Sequence, residues 1–137
     1  MKFTVLGGHG VIGRALVAGL RASAHSVDVL GRGDAWDPNA DWGHAIYAVG
    51  MTADFRTRPF ETVDAHVGLL SSALRHGRFD TFLYLSSTRI YLDADSTAET
   101  ARLHVAPSDP SDLYNLSKLL GESLCLSIPR PGIRVAR

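Results

Sequence analysis

Within its first thirteen residues the chain passes from an apolar run, Lys2 to Leu6, through Gly7-Gly8-His9-Gly10-Val11-Ile12-Gly13, into helical spacing. Few folds accept that transition so early. The segment satisfies G-x-x-G-x-x-G at positions 7, 10 and 13 and G-x-G-x-x-G at 8, 10 and 13. The first glycine lets the chain leave a strand in a tight turn. The middle one lets the backbone approach a pyrophosphate, and the last lets a helix pack close to the sheet. The N-terminus of that helix offers unpaired N–H groups and a positive dipole end to phosphates. A glycine cluster by itself marks only a tight turn. A strand before it and a helix after it give the context of a dinucleotide site. His9 is expected to face solvent.

The periodicity places Val11, Ile12, Leu16, Val17 and Leu20 on one face of a helix from about Gly10 to Ala22. Ser26–Leu30 reads as a second strand, ended by Gly31-Arg32-Gly33. Strand, helix and strand form a βαβ unit, which the right-handed crossover rule makes parallel. Asp34 to Gly43, with Pro38 and two tryptophans, reads as a loop. His44–Val49 is a third strand, and Met51–Pro59 a further loop. Phe60, Val63, Val67, Leu70 and Leu74 follow the spacing of one long amphipathic helix. Thr81–Leu85 is a fourth strand running into Ser86-Ser87-Thr88. Leu113–Ser127 is a helix with Leu113, Leu116, Leu120 and Leu124 along its core stripe, and Ile133–Ala136 begins a last strand. Alternating strands and helices with apolar strands predict a doubly wound parallel α/β sheet of about five strands.

With 137 residues and a formal net charge of zero, the chain suits one domain, residues 1–137, without a nucleic-acid footprint. Cys125 is its one cysteine, so no internal disulfide forms. No apolar run approaches a membrane span, and the first strand leaves no room for a leader, so a cytoplasmic location is expected. The six histidines show no metal-ligand spacing, and no metal is expected.

Tyr114-Asn115-Leu116-Ser117-Lys118 carries a Y-x-x-x-K pair on the last helix, one turn apart on one face. A phenol titrates near 10, too high for proton transfer at neutral pH, and a neighbouring ammonium lowers it. The bland alternative is a surface Tyr–Lys pair. Ser86-Ser87-Thr88, at the carboxyl end of a strand, offers hydroxyls where open parallel sheets bind ligands, although turn capping also uses hydroxyls there.

Taken together, Gly7/Gly10/Gly13, Ser86-Ser87-Thr88-Arg89-Ile90-Tyr91 and Tyr114 to Lys118 resemble the extended short-chain dehydrogenase/reductases. Within them the chain is most similar to the NAD-dependent epimerase/dehydratase family that processes nucleotide sugars. The resemblance implies a Rossmann-type fold and hydride transfer on an NAD or NADP cofactor. It implies Ser87 as the substrate-orienting hydroxyl, four residues before Tyr91, and Tyr114 as general acid/base. Lys118 would lower the tyrosine pKa and hold the nicotinamide ribose. Gly7, Gly10, Val11, Ile12, Gly13, Arg32, Ala48, Val49, Gly50, Ser86, Tyr114 and Lys118 are the expected cofactor contacts. Tyr91 either borders the substrate or packs. The resemblance also allows a homodimer through the Phe60–Leu74 and Leu113–Ser127 helices, whose apolar stripes core packing explains equally well.

The chain departs from that family in three places. Gly31-Arg32 stands where the family carries an acidic residue for the NAD ribose. An arginine there suits the 2′-phosphate of NADP, unless it is only a solvated turn residue. The short stretch between Leu30 and His44 leaves the third strand of the parent arrangement reduced or missing, so the expected order is 2-1-4-5-6 in parent numbering. The chain ends inside the sixth parent strand, before the domain that holds the nucleotide sugar. The alternative function is therefore a non-catalytic dinucleotide-binding or redox-sensing module, or an inactive fragment of a longer enzyme.

Overall fold

The five strands β1 (Lys2–Leu6), β2 (Ser26–Leu30), β3 (His44–Tyr47), β4 (Thr81–Leu85) and β5 (Ile133–Ala136) form one sheet ordered β2-β1-β3-β4-β5. Every neighbouring pair is parallel. This computed structural model describes residues 1–37 and 39–137; Pro38, in the expected loop, lies outside the described residues. Helix α1 (Val11–Ala22) connects β1 to β2. Helices α2 (Pro59–Val63) and α3 (Leu69–His76) connect β3 to β4, and α4 (Asp112–Ser127) connects β4 to β5. The strand order runs one way for the first crossover and the other way for the later two. Right-handed connections therefore put α1 on one face and α2 to α4 on the other, the doubly wound Rossmann-type arrangement.

The register aligns Leu6 with Leu30 on one side and with Tyr47 on the other, and Tyr47 with Tyr84. All carboxyl ends consequently reach the same edge of the sheet, and the functional residues gather there. Among the described residues no strand occupies 31–43, as expected for a missing third parent strand. Trp42 is instead buried against the edge of Trp36, and its backbone N–H donates to the Arg78 carbonyl. Among the described residues no helix is long and apolar enough to cross a membrane.

The main core joins Tyr47, Phe82 and Tyr84 to Leu70, Ala73, Leu74 and Cys125. The buried Tyr47 hydroxyl donates to the Ala65 carbonyl at 2.6 Å, so its proton has a partner in the core. Gly121 lets α4 approach the Tyr84 ring, into which a β-carbon at this position would press.

Three expectations are corrected. β3 ends at Tyr47, not Val49, because Ala48–Gly50 turn outward to line the edge of the sheet. The helix expected over Phe60–Leu74 is interrupted by a π turn at Asp64–Gly68. The inserted residue rephases the helix. Phe60 is consequently 83% exposed, whereas Thr62, Ala65 and His66 face the core. On α4 the deep positions are Asn115, Lys118, Glu122 and Cys125, while Leu120 is 55% exposed. The helical spacing is right; the buried face is polar.

Candidate functional site

A continuous cleft follows the carboxyl edge of the sheet. One end is lined by Gly7, His9, Gly10, Gly31, Arg32, Ala48, Val49 and Gly50. The other shares Gly10 and Ala48–Gly50 and continues through Val11, Ile12, Met51, Thr52, Leu85, Ser86, Tyr114 and Lys118. Residues distant in sequence converge because the turns after β1, β2, β3 and β4 all open on the same side.

The floor at the glycine turn is backbone. Gly7 has φ +82°, and a β-carbon on it would lie 2.7 Å from the Val49 nitrogen, so only glycine fits between the two strand ends. A β-carbon on Gly13 would overlap the Gly7 carbonyl oxygen, so α1 starts against the turn itself. Gly13 thus supports the cleft from beneath. No side chain caps α1 and no acidic residue lies in its first turn, leaving its dipole end open toward the cleft. These features fit a dinucleotide pyrophosphate. Arg32 projects from the turn after β2 and donates to the Gly50 carbonyl at 2.6 Å, with Met51 Sδ at 3.3 Å. Its guanidinium has no carboxylate partner among the described residues.

At the other end Lys118 is buried, and its Nζ donates to the Leu85 carbonyl at 3.0 Å. The ammonium also lies 5.0 Å from the Tyr84 ring centre. Burial pushes the Lys118 pKa down to about 8, and the Glu122 carboxylate opposes that fall. Tyr114 stands one turn earlier, its ring 5.1 Å from Phe55 and 4.7 Å from His66 in an edge contact. Ser86 lines the cleft, and its buried hydroxyl has no partner among the described residues. Ser87 is placed differently. Its Oγ accepts the Arg89 backbone N–H at 3.1 Å and caps the short 3-10 turn Thr88–Tyr91. Tyr91 accepts a hydrogen bond from Arg137 Nη1 at 3.1 Å, beside the Arg137–Glu122 ion pair.

His66 is the residue the sequence did not single out. It lies in the π turn, fully buried, with Nδ1 2.8 Å from Ser117 Oγ. Ser117 Oγ donates to the Tyr114 carbonyl, so the histidine carries its proton on Nδ1 and leaves Nε2 an acceptor without a partner among the described residues. Burial, with the Lys118 and Arg32 charges adding to it, pushes its pKa down to about 3. An isolated histidine in a helical pattern gives no signal for this placement.

Solved structures share the fold. A UDP-glucose-4-epimerase from Stenotrophomonas maltophila, with bound NAD and formylated UDP-arabinopyranose, superposes with TM-score 0.76 at 19% identity, over 100% of this chain and 52% of that one. A UDP-glucuronic acid 4-epimerase from Bacillus cereus in complex with NAD gives 0.69 at 20% identity, over 100% and 55%. RMD from Pseudomonas aeruginosa complexed with NADPH gives 0.65 at 25% identity, over 92% and 49%. The chain thus spans about half the length of the solved structures it matches. No curated protein sequence matches it significantly. The sequence profile of the NAD dependent epimerase/dehydratase family matches residues 44–135, more than half the chain, and the chain belongs to that family.

Proposed function

We propose that residues 1–137 form the NAD(P)-binding domain of an epimerase, dehydratase or reductase acting on a nucleotide sugar or a related carbonyl/alcohol pair. The observation that carries this reading is the continuity of the cleft from the glycine turn to Tyr114 and Lys118. A bound NAD or NADP would supply hydride transfer. Gly7, Gly10 and the first turn of α1 would hold its pyrophosphate, with Gly13 beneath them. Ala48–Gly50 and Ser86 would line its path. Arg32, exposed and without an acidic partner, suits the 2′-phosphate of NADP better than a bare ribose. Lys118, anchored on Leu85, would hold ribose hydroxyls and keep positive charge close to Tyr114. Tyr114 would move the proton, and the Ser87 hydroxyl, still able to donate, would orient the substrate oxygen. The neighbouring helices α2 and α4 expose Phe60, Val63 and Leu120, which supports a homodimer through that side.

Titrating the chain with NADPH and NADH, followed by fluorescence and heat, tests the reading. Micromolar binding of NADPH with weaker NADH binding is expected; binding of neither at millimolar concentration overturns it. One observation favours a second reading, a dinucleotide-binding module without turnover: the Ser87 oxygen caps a turn, and Ser87 does not line the cleft. Cofactor binding without turnover of any carbonyl substrate would support that module.

A further inference from the structure

Two arginines stack on Phe55, whose ring packs against Tyr114, and neither has a salt bridge among the described residues. Arg89 lies over Phe55 and Tyr114, its guanidinium carbon 5.3 Å and 5.9 Å from the ring centres. Arg56 lies over Phe55 at 4.5 Å. Sharing that ring, the two guanidinium carbons are at most 9.8 Å apart, the sum of 4.5 and 5.3 Å. Both also reach Ser111, the residue preceding α4. Arg56 Nε donates to its Oγ at 3.2 Å, and Arg89 Nη2 to its carbonyl at 3.4 Å. The Ser111 hydroxyl makes no capping hydrogen bond to α4, whose first turn carries Asp112.

Buried guanidinium donors need partners. Arg89 Nε is buried and has no partner among the described residues. Neither arginine has a salt bridge among the described residues, whereas nearby Arg58 holds Asp54 and Glu61. The carboxylates flanking Ser111 are engaged elsewhere: Asp109 accepts the Ser111 N–H, and Asp112 accepts from Ala106 and Asn115. No carboxylate among the described residues pairs with either arginine.

We propose that Arg56, Arg89 and Ser111 form a subsite for an oxyanion of the substrate, a phosphate or carboxylate, held beside Tyr114. Guanidinium forks bind both groups in the same way. The proposal rests on the functional reading only for Tyr114 as the reacting group. It narrows the substrate class to molecules whose acidic group is held near the reacting carbon by this domain itself.

Inorganic phosphate and acetate are the probes, followed through the arginine Nε–H and backbone amide resonances of the full chain. Saturable millimolar shifts of Arg56 and Arg89 are expected with both ions, and tighter binding of one names the substrate's acidic group. Arg56→Gln should weaken binding about tenfold, the loss of one charge-assisted hydrogen bond. Because Arg89 also packs on two rings, Arg89→Lys, which keeps a charge, serves as its variant and should weaken binding with the fold retained. No saturable shift at either arginine, or shifts confined to Gly10–Ile12, overturns the proposal. NADPH binding is measured separately. Ion binding here without NADPH binding would keep this subsite and remove the dinucleotide reading; the reverse would remove the subsite alone.

Discussion

Lys118 Nζ donates to the Leu85 carbonyl at 3.0 Å, fastening the Y-x-x-x-K turn of α4 to the end of β4. Sequence separates the two residues by 33 positions, yet this bond sets Tyr114 and Ser86 on one cleft. It also costs stability, because the ammonium is buried.

Lys118→Met tests that cost. The lysine titrates at about 8 in the folded chain against 10.5 unfolded, so the unfolded chain binds more protons between those values. Stability of the wild type should rise with pH from 8 to 10, by up to about 1.4 kcal/mol per unit. The methionine variant should lose that slope and bind NADPH about tenfold more weakly. Chemical denaturation at pH 7 and 10 reads the slope, and parallel wild-type and variant curves would contradict it.

His66 predicts the acid limb. Its folded pKa lies near 3 against 6.5 unfolded, so protons favour the unfolded chain as pH falls below 6.5. Lys118, Ser117 and Tyr114 face it, and Arg32 adds to the positive field. Wild type should lose about 2 kcal/mol more stability than His66→Gln between pH 6.5 and 4.5. Urea midpoints across that range measure the difference.

The glycines of α1 separate a required position from a tolerant one. A β-carbon on Gly13 overlaps the Gly7 carbonyl, whereas one on Gly19 meets nothing within 4 Å. Gly13→Ala should cost about 2 kcal/mol or more and disturb cofactor binding. Gly19→Ala should stabilise by up to about 1 kcal/mol through helix propensity. Thermal melts of the pair suffice.

Arg32→Ser should lower NADPH affinity at least about tenfold while leaving NADH affinity within about twofold. The side chain is exposed and, among the described residues, bonded only to Gly50 and Met51, so the melting temperature should barely move. Equal losses for both cofactors would assign Arg32 to the cleft's shape.

The five strands and the glycine turn were legible in the sequence because each strand is a short apolar run, and glycines follow the first two at Gly7 and Gly31. α1 was also legible, although Val11 and Ile12, expected on its apolar face, are exposed at the cleft. The π turn was not, since a single inserted residue leaves apolar spacing almost unchanged while turning Phe60 outward and His66 inward. The buried face of α4 was misread because its leucines suggested a core stripe, whereas Asn115, Lys118 and Glu122 occupy the deep positions. Polar residues buried at helical spacing mark a site, and hydrophobic periodicity overlooks them. The turn at Ala53–Thr57 read as a loop because it is too short for a periodic signal.

Mapping NADPH onto the amide spectrum of the chain locates the bound dinucleotide residue by residue. Shifts should gather at Gly10, Val11, Ile12, Gly50, Ser86, Tyr114 and Lys118, the length of the cleft. Saturating shifts elsewhere, for example in the hollow lined by Trp36, Trp42 and Leu69, or none at all, would contradict the proposed dinucleotide cleft.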